Sequence, residues 1–187
     1  VDVDDLEARI GARLDAGDLE GAITVALRGY GPQLLGYVYA TVRDDAIAGD
    51  IFAMACEDMW KGIAAFRRES SFRTWAYQVT WHAASRFLRD PFRHRAQLLA
   101  TGQASELAAE VRSTTALHLK TSSKDALDEI RAELSPEERT LLILRVDRDL
   151  SWPEIACVVD EPEATLRKRF QRLTERLRER VRERGLL

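Results

Sequence analysis

The chain has 187 residues, enough for one largish or two small domains, and with only five prolines among abundant Ala, Leu, Arg and Glu it carries few helix breakers. The lack of alternating Val/Ile/Thr runs excludes a β-rich fold and predicts an all-α protein. Two distant cysteines, Cys56 and Cys157, suggest neither a disulfide framework nor a thiolate metal site, and no apolar run approaches the roughly 20 residues that span a bilayer. With no signal peptide in view, a reducing, cytoplasmic setting without membrane insertion is expected, and the start at Val1 rather than Met is expected to be a trimmed or processed one.

The net charge of −3 hides a segregation that matters more than its sum. Residues 1–60 and 100–138 are acidic, whereas 61–99 and 139–187 are basic. Phosphate contact is local, so two basic blocks flanked by acidic ones suggest two separate DNA contacts, each beside a surface that repels DNA and suits a basic protein partner.

Leu6, Ile10 and Leu14 form a short helical stripe, and Ala22, Ala26, Leu34, Leu35, Val38 and Val42 continue the pattern around an interruption expected at Gly29-Tyr30-Gly31-Pro32. Asp50 to Lys61 reads as one helix, with Ile51, Phe52, Ala55, Cys56 and Met59 inward and Asp50, Met54, Glu57, Asp58 and Lys61 along the outer stripe. A methionine amid charges suits docking on an irregular partner surface; a singly exposed apolar residue is the plainer reading.

From Phe66 to Arg95, Ser70 or Ser71 can cap a helix beginning near Phe72. It carries Trp75, Tyr77 and Trp81 with Arg73, Arg86 and Arg89 among them, and its apolar residues fall on two faces rather than one. Aromatics interleaved with arginines suit a strand of unstacked bases, rings taking base faces and guanidiniums taking phosphates. Taken singly, Phe72, Trp75 and Trp81 also read as core.

Arg95 to Lys124 is rich in Gln, Ser, Thr and Ala and is expected to be a linker with one short helix. Leu127, Ile130 and Leu134 then lead into Ser135-Pro136-Glu137-Glu138, a capping box whose helix runs through Leu141, Leu142, Leu144 and Val146. A second capping box, Ser151-Trp152-Pro153-Glu154, opens the short apolar helix Ile155 to Val159. The chain breaks at Asp160, where positive φ is expected, and resumes at Pro162 as a helix. Leu166, Phe170, Leu173 and Leu177 share one stripe of that helix, with Thr165, Lys168, Arg172 and, nearer the edge, Arg169 and Arg176 on the other side. This is a helix-turn-helix whose basic second helix is built to enter a major groove. His82, His94 and His118 have no metal-ligand spacing with each other or with either cysteine, and neither a phosphate loop nor a nucleophile elbow occurs. No enzyme, metal or cofactor is expected.

GDLEGAITVALRGYGPQLLGYVY, DIFAMACEDMWKGIAAFRRESSFRTWAYQV and LSPEERTLLILRVDRDLSWPEIACVVDEPEATLRKRFQRL, in that order, resemble a bacterial sigma-70 family factor of the extracytoplasmic function (ECF) type. The resemblance implies an all-α protein of two helical domains, sigma region 2 over 1–95 and region 4 over 125–187, joined by a flexible linker over 96–124. It implies docking on the β′ clamp helices of core RNA polymerase through Asp50, Met54, Glu57, Asp58 and Lys61, and a further contact with the β flap. Phe66, Ser70, Ser71 and Phe72 would line a flipped-base pocket, and Arg73, Trp75, Tyr77, Trp81, His82, Arg86 and Arg89 would lie along the minus-ten DNA. Thr165, Arg167, Lys168, Arg169 and Arg172 would read the minus-thirty-five duplex. An anti-sigma factor is a candidate partner, and the free chain is expected to be a monomer.

The chain departs from the family pattern at Ala53-Met54, where Gln-Glu is common, at Trp81-His82, where Arg-Asn is common, and at Asp160, which replaces the turn glycine. The competing reading is a helix-turn-helix repressor acting without polymerase; that would explain the C-terminal half but call for a dimer and leave the 66–89 aromatics idle.

Overall fold

The computed structural model describes residues 2–90, 103–119 and 133–183, and among them are eight α-helices and no strand. Helix α1, Val3–Asp15, starts where the Asp2 carboxylate accepts from the Asp4 amide at 3.0 Å. A turn through Gly17 at φ 73° leads to Asp18, which caps α2, Leu19–Val42, by accepting from the Gly21 amide at 2.9 Å. That bond, with Arg13 beside it, holds the Asp18 carboxyl below the usual carboxylate range.

The expected interruption at residues 29–32 does not occur: α2 passes straight through Pro32. The two glycines there are packing contacts. A Cβ on Gly29 would lie 2.3 Å from the Leu6 side chain of α1, and one on Gly31 would lie 3.0 Å from Val111. Burial of both faces outweighs the hydrogen bond that an internal proline removes.

Helix α3, Asp45–Gly62, is capped by Asp44, and its Ile51, Phe52, Ala55, Cys56 and Met59 are fully buried, as their periodicity predicts. A single 3₁₀ turn, Ile63–Ala65, ends it. Helix α4, Phe72–Arg89, packs on α3 and α2, burying Ala76, Tyr77, Thr80, Ala83, Ala84 and Phe87, while Leu88 is exposed.

The interval expected as a linker holds a longer helix than foreseen. This is α5, Gln103–Leu119, packed across α2 and α3 with Leu107, Ala108 and Val111 in the core. Arg28 of α2 holds it through both oxygens of Glu110, at 3.1 and 3.2 Å. Residues 96–102 and 120–124 of that interval, together with Leu127, Ile130 and His94, lie outside the described residues.

In the C-terminal unit, both predicted capping boxes form. Ser135 and Glu138 open α6, Pro136–Leu142, and Ser151 and Glu154 open α7, Trp152–Val159. The helix expected to continue through Val146 instead widens into a π-turn over Ile143–Asp147. The extra residue in that turn shifts the helical phase, so Ile143 and Leu144 stay buried while Val146 turns outward. Asp160 adopts φ 55°, ψ 47°, the left-handed conformation expected of it. Helix α8, Glu163–Glu183, follows, with Leu166 and Leu173 buried and the Pro162 carbonyl accepting from the amides of Thr165 and Leu166.

The two units share one core. Helix α7 lies against α4 and α6 against α2, and Leu141, Leu144, Ile155 and Val158 join the cluster built by the N-terminal helices. Polar bonds cross the same seam. Tyr37 and Thr140 hydroxyls meet at 3.3 Å, Arg139 donates to the Thr41 carbonyl, and Arg148 donates to the Gln33 carbonyl at 3.3 Å. Full burial pushes the Tyr37 phenol far above its ordinary value, so it remains a neutral hydroxyl there.

Candidate nucleic-acid interface

The loop between the 3₁₀ turn and α4 is fixed from both ends. Arg68, at φ 60°, donates to Asp15 Oδ1 at 2.6 Å and to the Gly11 carbonyl at 2.7 Å. Ser71 caps α4 by accepting from the Thr74 amide at 3.1 Å. A second cap comes from far away in sequence: Glu7 of α1 accepts from the amides of Phe72 and Arg73 at 2.9 and 2.8 Å, and from the Tyr30 hydroxyl at 2.7 Å. Burial first, and then the Glu7 carboxylate, push the Tyr30 phenol far up, keeping it a donor. Local sequence signals could not reveal Glu7's role, because its partners lie 23 to 66 residues away.

Phe66, Phe72 and Trp75 form an aromatic nest with ring centroids 5.0 to 5.4 Å apart. Phe66 and Trp75 are half-buried, whereas Phe72 is buried beneath them. A cleft of about 480 Å³ between α1 and this loop is lined by Glu7, Gly11, Asp15, Phe66, Arg68 and Ser70 among others.

Two sequence-predicted contact residues are core. Tyr77 is fully buried, edge-on to Tyr37 at 5.6 Å, and Phe72 is only 2% exposed. Because α4 packs on α2 as well as α3, the face carrying Tyr77 is turned inward rather than outward. Burial raises the Tyr77 phenol too, against the nearby Arg148 and Arg73 charges.

The rest of the predicted minus-ten set is split. Ser70 is half-buried and Ser71 exposed at the loop's end, and His82 and Arg89 are exposed. Arg86 pairs with Asp58 of α3, which joins a predicted DNA contact to a predicted polymerase contact. Arg73 donates to the Arg148 carbonyl at 2.8 Å. On the same side, Thr74 donates to Glu154 at 3.3 Å and Gln78 to the Cys157 carbonyl at 2.9 Å. Trp81 lines a cleft of about 450 Å³ with Leu141, Leu166, Arg169, Arg172 and Arg176.

On α3, Asp50, Met54, Glu57 and Asp58 are half-buried and Lys61 is exposed; Lys61 donates to Glu57 at 3.2 Å, and Met54 packs against the core. On α8, Arg167, Lys168, Arg169 and Arg172 are exposed and Thr165 is half-buried. Arg167 pairs with Glu163 at 3.1 Å and lies 5.2 Å from the Trp152 ring, while Arg169 pairs with Glu161 at 2.7 Å. Lys168 lies opposite Leu166 and Leu173, while Arg169 and Arg172 flank that stripe in the cleft beside Trp81, so α8 carries exposed cations suited to phosphate and base-edge contact. Among the described residues, no helix is long and apolar enough to cross a membrane.

The model of sigma-70 region 2 matches residues 26–93 and that of sigma-70 region 4 matches 124–183, together more than half of the chain. The RNA polymerase sigma-H factor of Pseudomonas aeruginosa is 25% identical over 169 residues, 87% of each chain. RNA polymerase sigma factor YlaC of Bacillus subtilis is 24% identical over 129 residues, 69% of this chain and 74% of its own. A solved structure of similar fold is the sigma factor RpoE in complex with the anti-sigma factor NepR from Bartonella quintana, with a TM-score of 0.61 and 15% identity, covering 84% of this chain and 94% of that one. With a helical bundle and a basic helix-turn-helix in this order, each matched by its own sigma-70 region, the chain belongs to the sigma-70 family of RNA polymerase sigma factors, of the extracytoplasmic function type, and serves in transcription initiation.

Proposed function

We propose that residues 1–95 and 125–187 divide promoter recognition between them. The outer stripe of α3, from Asp50 to Lys61, meets the β′ clamp helices of core polymerase, and the C-terminal unit meets the β flap. The 66–72 loop, with Phe66 and Trp75 at its surface, holds unstacked bases of the minus-ten non-template strand. Arg73, Trp81, His82, Arg86 and Arg89 follow that strand, and Phe72 and Tyr77 support them from the core. Thr165, Arg167, Lys168, Arg169 and Arg172 of α8 read the minus-thirty-five duplex.

The observation that carries this reading is the pairing, on one chain, of an aromatic nest at the start of α4 with a cationic recognition helix at α8. The first suits single-stranded bases and the second suits duplex. The chain performs no chemistry: phosphate contacts supply salt-dependent affinity, base contacts supply selection, and capture of extruded bases offsets the cost of melting. The protein works in the cytoplasm, as a monomer until it joins polymerase. An anti-sigma factor is proposed as a further partner, since the structural neighbour is held by one.

The test is run-off transcription with purified core polymerase on a promoter library, with and without this chain. Transcripts sharing a two-element motif only when the chain is present support the reading. A dimer that retains duplex without polymerase and yields no transcripts would favour the repressor instead.

A further inference from the structure

We propose that α1, which lies outside the stretch matched by the region 2 model, anchors the base-holding loop, with Glu7 as its positioning residue. This rests on assigning the 66–72 loop to the minus-ten strand. The first amides of a helix have no intrahelical acceptor and carry partial positive charge, so a carboxylate placed there fixes where the helix begins. Glu7 takes two of these amides and Ser71 a third. One and two turns further along α1, Gly11 and Asp15 hold Arg68. Helix α1 thereby grips the loop at its middle and its end, and the cleft of about 480 Å³ keeps its shape before any base arrives. A loop ordered in advance spares the strand the entropic cost of ordering it on capture.

Glu7→Ala is expected to lower strand opening about fivefold, the factor that losing one helix cap corresponds to. Opening is read by 2-aminopurine fluorescence in the minus-ten element. The variant also flattens base preference at the position the loop reads, while polymerase binding is unchanged. Glu7→Gln, which keeps one acceptor oxygen, falls between. Wild-type opening and preference in Glu7→Ala would overturn the anchor, as would a loss that follows only the folded fraction in a thermal melt. Phe66→Ala separates the two layers. If it leaves opening intact, the base-holding assignment itself fails; if it impairs opening while Glu7→Ala does not, only the anchor fails.

Discussion

Thr74 of α4 donates its hydroxyl proton to Glu154 Oε1 of α7 at 3.3 Å, while Oε2 of the same carboxylate accepts from the Ser151 amide at 2.7 Å and the Ser151 hydroxyl at 2.6 Å. One side chain thus completes the cap of the helix-turn-helix and ties it to the N-terminal bundle. Capping and interdomain contact rise and fall together.

That coupling makes the contact acid-sensitive. Burial alone would raise the Glu154 carboxyl, but the Ser151 hydroxyl and amide, the Thr74 hydroxyl and the Arg73 charge hold it below its ordinary 4.5. Glu138, against burial, is held down by Arg176 and the Ser135 amide. A native carboxyl below its unfolded value contributes stability that is fully present above pH 4.5 and is lost as pH falls through the native value. Thermal melts from pH 7 downward should show the wild type losing its advantage over Glu154→Gln in acid. Equal pH dependence in the two proteins would rule this out.

Arg172→Ala should weaken binding to the minus-thirty-five duplex and leave attachment to polymerase intact. If Arg172 contacts a phosphate, the slope of log affinity against log salt falls by about one. Fluorescence anisotropy across a salt series reads both numbers, and an unchanged slope with unchanged affinity would remove Arg172 from the interface.

Trp75 and Tyr77 should separate cleanly, although they are two residues apart. Trp75→Ala is expected to lower strand opening by about 1–3 kcal/mol, the worth of one base stacked on one ring. Tyr77→Phe should keep opening near wild type, because its buried ring packs against Tyr37. Tyr77→Ala should instead cost about 3–5 kcal/mol of stability by leaving a cavity. Urea unfolding beside an opening assay would expose a reversal of these roles.

Gly29→Ala should destabilise the bundle by about 1–3 kcal/mol, since its Cβ would intrude on a fully buried Leu6. Gly31→Ala, where Val111 is 3.0 Å away, should cost less. The opposite ranking in thermal melts would show that α1 is not packed as described.

Much of this was legible in order along the chain. The inward stripe of α3, both capping boxes and the left-handed Asp160 follow from interactions within a few residues, which sequence spacing encodes directly. The buried Leu166 and Leu173 of α8, with exposed cations around them, follow from the same 3.6-residue period. The sequence by itself therefore determined the inward stripe of α3, the caps that open α6 and α7, and the family. Which aromatic is covered was not determined in this way: Tyr77 is core and Trp75 half-buried because α4 packs on α2 and α3 and also meets α7, and a helix with two apolar faces does not say which is covered. The glycines of α2, the Glu7 cap on α4 and the contact of Thr74 with Glu154 needed the tertiary structure for one reason: each joins residues far apart in the chain, and no local period records which distant side chain will arrive.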